Sequence, residues 1–385
     1  MQIPQNLREK MVDVFQDFRR SPMAVRAPGR IEVLGNHTDY NGGDVLAATM
    51  DRYVWSVGVR SKEVEIHSLD LGEQTTFHPN FITPRNDLTW KSYAKGVYWA
   101  LERRRHQVTG TTAIIHGNVP QGAGLSSSAA FEISFVNLVL GLSGIELNPK
   151  SIAMLAFEAE RMYCGVACGI MDQFSAQLGK PNHLLAIRCS NMITGDVPWD
   201  SRLKLVVVDS RVSRAAKDIL NQRRYECQQG LHELVEAGWE ISNLSEIQPE
   251  KLHLVDALLD SVLARRVRHV VLENQRVRRG VQALREGRVS DFGREMFESH
   301  ASSRNLYEVS HPKLDILVDL ARNMKGVIGS RLTGAGLGGA TLTVVEDKFS
   351  RSFIQNISQN YESATGITPD IIETGIPGGV ASSYI

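Results

Sequence analysis

Apolar positions set the first element of the chain: Leu7, Met11, Val14, Phe15 and Phe18 recur with a helical period, which predicts a helix over 7–20. A short β segment follows at Ala24–Ala27, and glycine-rich turns run through Gly43. Val45–Val59 and Glu63–Ser68 read as strands joined by a polar turn. Trp90–Arg104 reads as a helix, Thr112–His116 as a strand, and Ala129–Leu140 as a strongly apolar helix. Ser151–Tyr163 predicts another helix, capped by Ser151. The composition shifts near 191–202, and Leu203–Asp209 is apolar enough for a buried strand. Charged helices follow through about Met324, and 326–345 returns to a β-rich pattern around a glycine loop. Strands and helices mix in both halves without regular βαβ alternation, which predicts an α+β fold. The composition shift suggests two domains, 1–198 and 199–385.

Length agrees with two domains: 385 residues, at roughly 100–200 per domain. Lys plus Arg and Asp plus Glu balance at 43 each, so no global charge draws the chain to nucleic acid or membrane. A local exception is Arg265–Arg288, with eight arginines. There Val267, Val270, Val271, Val277, Val281 and Leu284 keep a helical period, which predicts an amphipathic helix whose arginines face solvent. The polar, amphipathic N-terminus lacks a signal-peptide core, and no apolar run approaches a bilayer span. Cys164, Cys168, Cys189 and Cys227 match neither a disulfide ladder nor a C-x-x-C pair. A cytoplasmic protein is expected.

Three segments carry candidate chemistry. Gly117–Ala130 (GNVPQGAGLSSSAA) is an open turn of small residues opening an apolar helix. Small residues let backbone N–H groups approach a ligand, and a helix N-terminus adds unsatisfied donors and partial positive charge. Together they make a phosphate cradle, though without the Walker A pattern. An ordinary strand–turn–helix with serine caps has the same sequence. Arg26–Gly43 (RAPGRIEVLGNHTDYNGG) is a turn-rich loop dense in polar side chains, suited to hydroxyl recognition or to a solvated hairpin. Arg331–Val345 holds a run of small residues, Gly334–Ala340 broken by Leu337, which fits a tight turn as well as a phosphate loop.

The three segments together resemble the small-molecule kinase family that contains galactokinase, homoserine kinase, mevalonate kinase and phosphomevalonate kinase. Within it the chain is most similar to the galactokinases. Gly29–Gly43 resembles their signature, VPQGAGLSSSAA the ATP loop, and CGIMDQF at Cys168–Phe174 the stretch carrying the catalytic aspartate. Trp90–Val97, Arg223–Gln229, Glu298–Asp315 and Gly329–Thr341 also fit, so the likeness runs from about 20 to 345. The resemblance implies a two-domain sugar kinase with its active site between the domains, ATP and Mg²⁺ as cofactors, and a small sugar as substrate. The sugar and phosphate loops would belong to 1–198, the third glycine motif to 199–385. A monomer is expected, with a homo-oligomer left open.

The resemblance also implies roles. Asp172 faces the reacting hydroxyl and Arg30 stabilises the transition state. Asn36, His37, Thr38 and Asp39 hold the sugar. Gly122, Ala123, Gly124, Leu125, Ser126, Ser127 and Ser128 wrap the ATP phosphates. Ser128 and Glu160 hold magnesium. Phosphoryl transfer depends on positioning and charge neutralisation, and Mg²⁺ takes oxygen ligands while keeping waters, so this set is chemically sufficient. Two positions depart from the pattern. Galactokinases usually carry Glu where this chain has Asn36, against the sugar's C6 hydroxyl, and a sugar-contacting Tyr where alignment places Leu220. The expected reaction is phosphorylation of the anomeric hydroxyl of galactose. The alternatives are galacturonate or another galactose-like sugar, or a non-catalytic sugar sensor. No Arg or Lys within Gly35–Gly43 would pair with a C6 carboxylate, which favours galactose.

Overall fold

The computed structural model describes residues 2–15, 21–82, 88–213 and 217–385. Its strands are β1 (Met23–Leu34), β2 (Asp44–Ser61), β3 (Val64–Ser68), β4 (Glu73–Phe77), β5 (Gly110–Gly117), β6 (His183–Arg188), β7 (Ile193–Pro198), β8 (Leu203–Asp209), β9 (Val327–Leu332), β10 (Ala340–Glu346), β11 (Asp370–Thr374) and β12 (Ala381–Tyr384). The helices begin with α1 (Gln5–Phe15), α2 (Trp90–Arg103), α3 (Ser127–Ser143), α4 (Pro149–Glu158) and α5 (Met171–Leu178). They continue with α6 (Lys217–Glu236), α7 (Leu252–Leu258), α8 (Ser261–Arg285), α9 (Val289–Asn305), α10 (Pro312–Arg322) and α11 (Asp347–Thr365). The fold is two-domain α+β, as expected. Of the first predicted helix, 16–20 lie outside the described residues.

Strands β1–β7 and β12 form one sheet, ordered β12-β1-β2-β5-β3-β4 with the β6–β7 pair added on β2. Among the described residues, β3–β5 is its only parallel pairing. The second sheet is β11-β8-β10-β9, all antiparallel. In β8 the side chains alternate: Leu205 and Val207 join the main core, while Val206 and Val208 pack with Leu317, Phe353 and Tyr361 from α10 and α11. That explains its uninterrupted apolar sequence, since both faces are covered. The last strand, β12, returns to pair with β1, so the C-terminus belongs to the first sheet.

Two expectations are corrected. Asn148, not Ser151, caps α4: its side chain accepts the Ser151 N–H at 2.9 Å, and Pro149 occupies the first turn. The arginines of α8 do not all face water. Arg266 and Arg276 are buried, and Arg266 donates to Glu226 (2.6 Å), Glu308 (2.6 Å) and the Leu306 carbonyl (2.5 Å). Helical period correctly placed Val267, Val270, Val271 and Val277 inward. It missed the acids on α6 and after α9 that allow guanidinium groups beside them. Among the described residues no helix is long and apolar enough to cross a membrane.

Candidate active site

Three chain segments converge. The first is β1 and the loop after it. The β1–β2 register shifts between Pro28 and Arg30, and such an irregularity re-aims a side chain. Arg30 Nε then donates to Asp172 Oδ1 at 2.7 Å, and its Nη1 to the Gly124 carbonyl at 2.5 Å. The second segment is the β5–α3 loop. Arg30 N–H holds the Leu125 carbonyl at 3.1 Å, and only glycine fits beneath it, since a Cβ on Gly29 would lie 2.8 Å from that oxygen. Ser126 precedes α3 in a left-handed conformation (φ 60°), and its hydroxyl donates to Asp172 Oδ2. Asp172 itself sits in the first turn of α5, the third segment.

Glu160 approaches through a π-helical turn, Ala159–Tyr163, that continues α4. Ser128 donates to Glu160 Oε1 at 3.1 Å, and Gln173 to Oε2 at 2.5 Å. Burial, and then the charge of Asp172, raise the Glu160 pKa to about 7, although Ser128 and Gln173 pull the other way. Behind them lies Glu132 on α3, fully buried. Burial, and then Glu160, push its carboxyl well above the ordinary range. Its Oε1 has no hydrogen-bond partner among the described residues. Sequence analysis missed Glu132 and Gln173, although an acid inside so apolar a helix was a signal.

The expected sugar residues divide. Asp39 opens a short 3₁₀ turn and rests against Gly169, where a Cβ would sit 1.7 Å from Oδ2. Desolvation, then Asp172 and Glu32, raise its pKa to about 7. His37 (φ 60°) bonds the Ala335 carbonyl through Nε2 (3.1 Å) and the Tyr40 hydroxyl through Nδ1 (2.9 Å), stacked 4.9 Å from the Tyr307 ring. Its burial, and then His269, lower its pKa to about 3, so it is neutral near pH 7. Thr38 is spent within the loop, on the Gly35 and Asp44 carbonyls at 2.8 and 2.7 Å. Asn36 is fully buried and bonded on all sides by protein. Leu220 packs with the apolar cluster of α6–α8 that includes Tyr307 and Val309.

The loop is anchored from the second half of the chain, which sequence analysis did not foresee. Glu273 on α8 accepts the N–H groups of Gly35 (3.0 Å) and Asn36 (3.3 Å), the Ser299 hydroxyl (2.5 Å) and Arg276 (3.0 Å). Burial alone would raise its pKa, but Arg276, Arg331 and His269 hold it at about 2. His269 bonds the Asn36 carbonyl through Nε2 at 2.9 Å. The third glycine loop, between β9 and β10, offers its Gly334 and Ala335 carbonyls to Asn36 and His37. Beside the β5–α3 loop a cleft of about 520 Å³ is lined by Trp90, Tyr93, Gly122, Ser127, Ser128 and Phe131 among others.

The GHMP kinases N terminal domain matches residues 92–180, the galactokinase galactose-binding signature 14–59, and the GHMP kinases C terminal domain 281–362. The chain is 39% identical over 360 residues to a galactokinase of Roseiflexus sp. (strain RS-1), covering 92% of each. It is 33% identical to a galactokinase of Bacillus subtilis (strain 168), covering 97% of this chain and 98% of the other. Among solved structures, Lactococcus lactis galactokinase complexed with galactose superposes with a TM-score of 0.92 at 29% identity, covering 98% of both chains. Methanococcus jannaschii mevalonate kinase, at 19% identity and a TM-score of 0.66 over 93% of this chain and 99% of its own, shares the fold. The chain belongs to the GHMP kinase family and, within it, to the galactokinase subfamily.

Proposed function

We propose that this protein transfers the γ-phosphoryl group of ATP to the anomeric hydroxyl of galactose. The observation that carries the reading is the convergence on Asp172: Arg30 on one carboxylate oxygen, Ser126 on the other, with Asp39 near enough to feel its charge. This carboxylate, between the sugar loop and the phosphate loop, is suited to accept or orient a hydroxyl proton. Arg30, held by the Gly124 carbonyl, is suited to offset charge on the transferring group. Asp39 and His37 are the sugar residues we retain from the loop, with Thr38 and Asn36 supporting it from within. Residues 122–128 would wrap the phosphates, and the cleft with Trp90, Tyr93 and Phe131 offers apolar walls for a purine.

The residues also fit magnesium. Ser128 Oγ and Glu160 Oε1 are hard oxygen donors 3.1 Å apart, in a corner where Asp172, Glu160 and Glu132 gather. When bound, Mg²⁺ would neutralise phosphate charge. Gln173 would orient Glu160, and Glu132 backs Gln173 at 3.4 Å. We further propose that the functional units divide near residue 198, with β12 completing the first.

One observation favours a second reading, a uronic acid as acceptor. Arg224 lies over the Tyr40 ring, 4.8 Å from its centroid, and its buried Nε has no hydrogen-bond partner among the described residues. A coupled ATPase screen over galactose, galacturonate, N-acetylgalactosamine, glucose and arabinose tests both. Turnover highest with galactose supports the first reading. Preference for galacturonate replaces it, and no sugar-dependent turnover at all removes the kinase assignment.

A further inference from the structure

Every polar atom of Asn36 is engaged. Its N–H donates to Glu273, and its carbonyl accepts from His269. Side-chain Oδ1 accepts from Ser303 at 2.9 Å. Nδ2 donates to Glu32 Oε1 at 3.0 Å and to the Gly334 carbonyl at 2.9 Å. An amide nitrogen has two hydrogens, so both are used, and both on acceptors. Glu32 also accepts from Arg331 Nη2 at 2.8 Å, and all three side chains are buried. Residue 36 therefore joins the sugar loop to α9 and to the third glycine loop from a fully buried position.

A carboxylate at 36 has no hydrogen to offer. It would face the Glu32 carboxylate and the Gly334 carbonyl, both at hydrogen-bond distance, and each would lose the donor that Asn36 gives it. Carboxylates at both 32 and 36 would face one another with the single charge of Arg331 bonded to Glu32, so a carboxylate at 32 favours an amide at 36. The geometry points to Glu32 and Asn36 as one coupled unit: a carboxylate–amide pair that positions the sugar loop, with Asn36 a positioning residue and not a reader of the sugar's C6 group. Recognition then rests on other groups of the loop, and the departure at 36 reports on Glu32 before it reports on the substrate. Only the sugar arm of this inference rests on the kinase reading.

The test is a double-mutant cycle with Asn36→Asp, which keeps the shape of Asn and exchanges only its donor for charge, and Glu32→Gln, which supplies a donor in return. Thermal unfolding and steady-state kinetics are measured for wild type, both single variants and the double variant, with galactose and with galacturonate. Asn36→Asp should lower the melting temperature and raise the sugar KM about tenfold for any sugar the wild type uses, leaving the ATP KM unchanged. Adding Glu32→Gln should restore most of both losses. If Asn36→Asp does not fold, recovery of folded protein in the double variant carries the same support. Three results would overturn the pair: a wild-type melting temperature in Asn36→Asp, losses that simply add in the double variant, or a loss confined to one sugar. Should the wild type phosphorylate no sugar, the kinase reading fails while the melting cycle still reports on the pair.

Discussion

Glu160 and Glu273 are both glutamates with almost no exposed surface, 5% and 0%, yet their acidities move in opposite directions. Around Glu273 the protein supplies everything a carboxylate needs: two loop N–H groups, a serine and Arg276, with Arg331 adding favourable charge. Around Glu160 the protein adds the charge of Asp172, and hydrogen bonds from Ser128, Gln173 and Cys168 offset part of the rise. A site finished by its own residues is a support. A site whose buried carboxylates resist ionisation is one that a bound cation would complete, in keeping with the role proposed for Mg²⁺.

The sharpest break of this comparison is Glu273→Gln. It strands Arg276 without its buried counter-charge, a change that typically costs ~3–5 kcal/mol. Urea unfolding should show a loss of that order, with a raised sugar KM, and an unchanged midpoint would mean the anchor is not structural. Its pH signature follows from the direction of the shift. Because folding depresses the Glu273 pKa from 4.5 to about 2, its stabilisation is present above 4.5 and is lost as pH falls toward 2. Glu273→Gln should flatten that part of the acid unfolding curve.

Next is Asp172→Asn, which keeps volume and removes the proton acceptor. Turnover should fall ~10²-fold or more while ATP binding by calorimetry is retained. Near-wild-type turnover would sink the role assigned to Asp172. In the metal corner, Glu160→Gln should raise the Mg²⁺ requirement and lower kcat, leaving the sugar KM nearly alone. Gln173→Leu should weaken Mg²⁺ by roughly tenfold through loss of orientation. An unmoved magnesium titration in both would make Glu160 a structural residue.

The smallest effect is one of pH. A carboxyl with a pKa of about 7 must lose its proton before it can ligate a cation. Apparent Mg²⁺ affinity should therefore strengthen as pH rises from about 6 to 8, by roughly tenfold. The trend should be much weaker in Glu160→Gln. Equal slopes in the two proteins would assign the titration to another group, Asp39 being the first to examine.

What the sequence revealed and what it hid follow from distance along the chain. The strand, turn and helix at 110–143 were legible because they are contiguous. Asp172 and Arg30 were legible only through resemblance, being 142 residues apart. The anchoring of the sugar loop was not legible. Glu273 lies 238 residues from Gly35, on a helix whose valines announced burial while its charges suggested water. Nothing local tells that His269, Glu273 and Arg276 share the buried side with Val270 and Val277. The π-helical turn at 159–163 was likewise hidden, because its residues read as ordinary helix. Helix α11 and strands β11 and β12 lie beyond the last predicted element.

The most direct test of the central claim is the identity of the product. Purified protein is incubated with ATP, Mg²⁺ and galactose, and the products are resolved by ³¹P and ¹H NMR. The account predicts one ADP formed per sugar phosphorylated, with phosphorus coupled to the anomeric proton, and no such product from Asp172→Asn. Phosphate on any other carbon, or ATP consumed without a sugar phosphate, would contradict it.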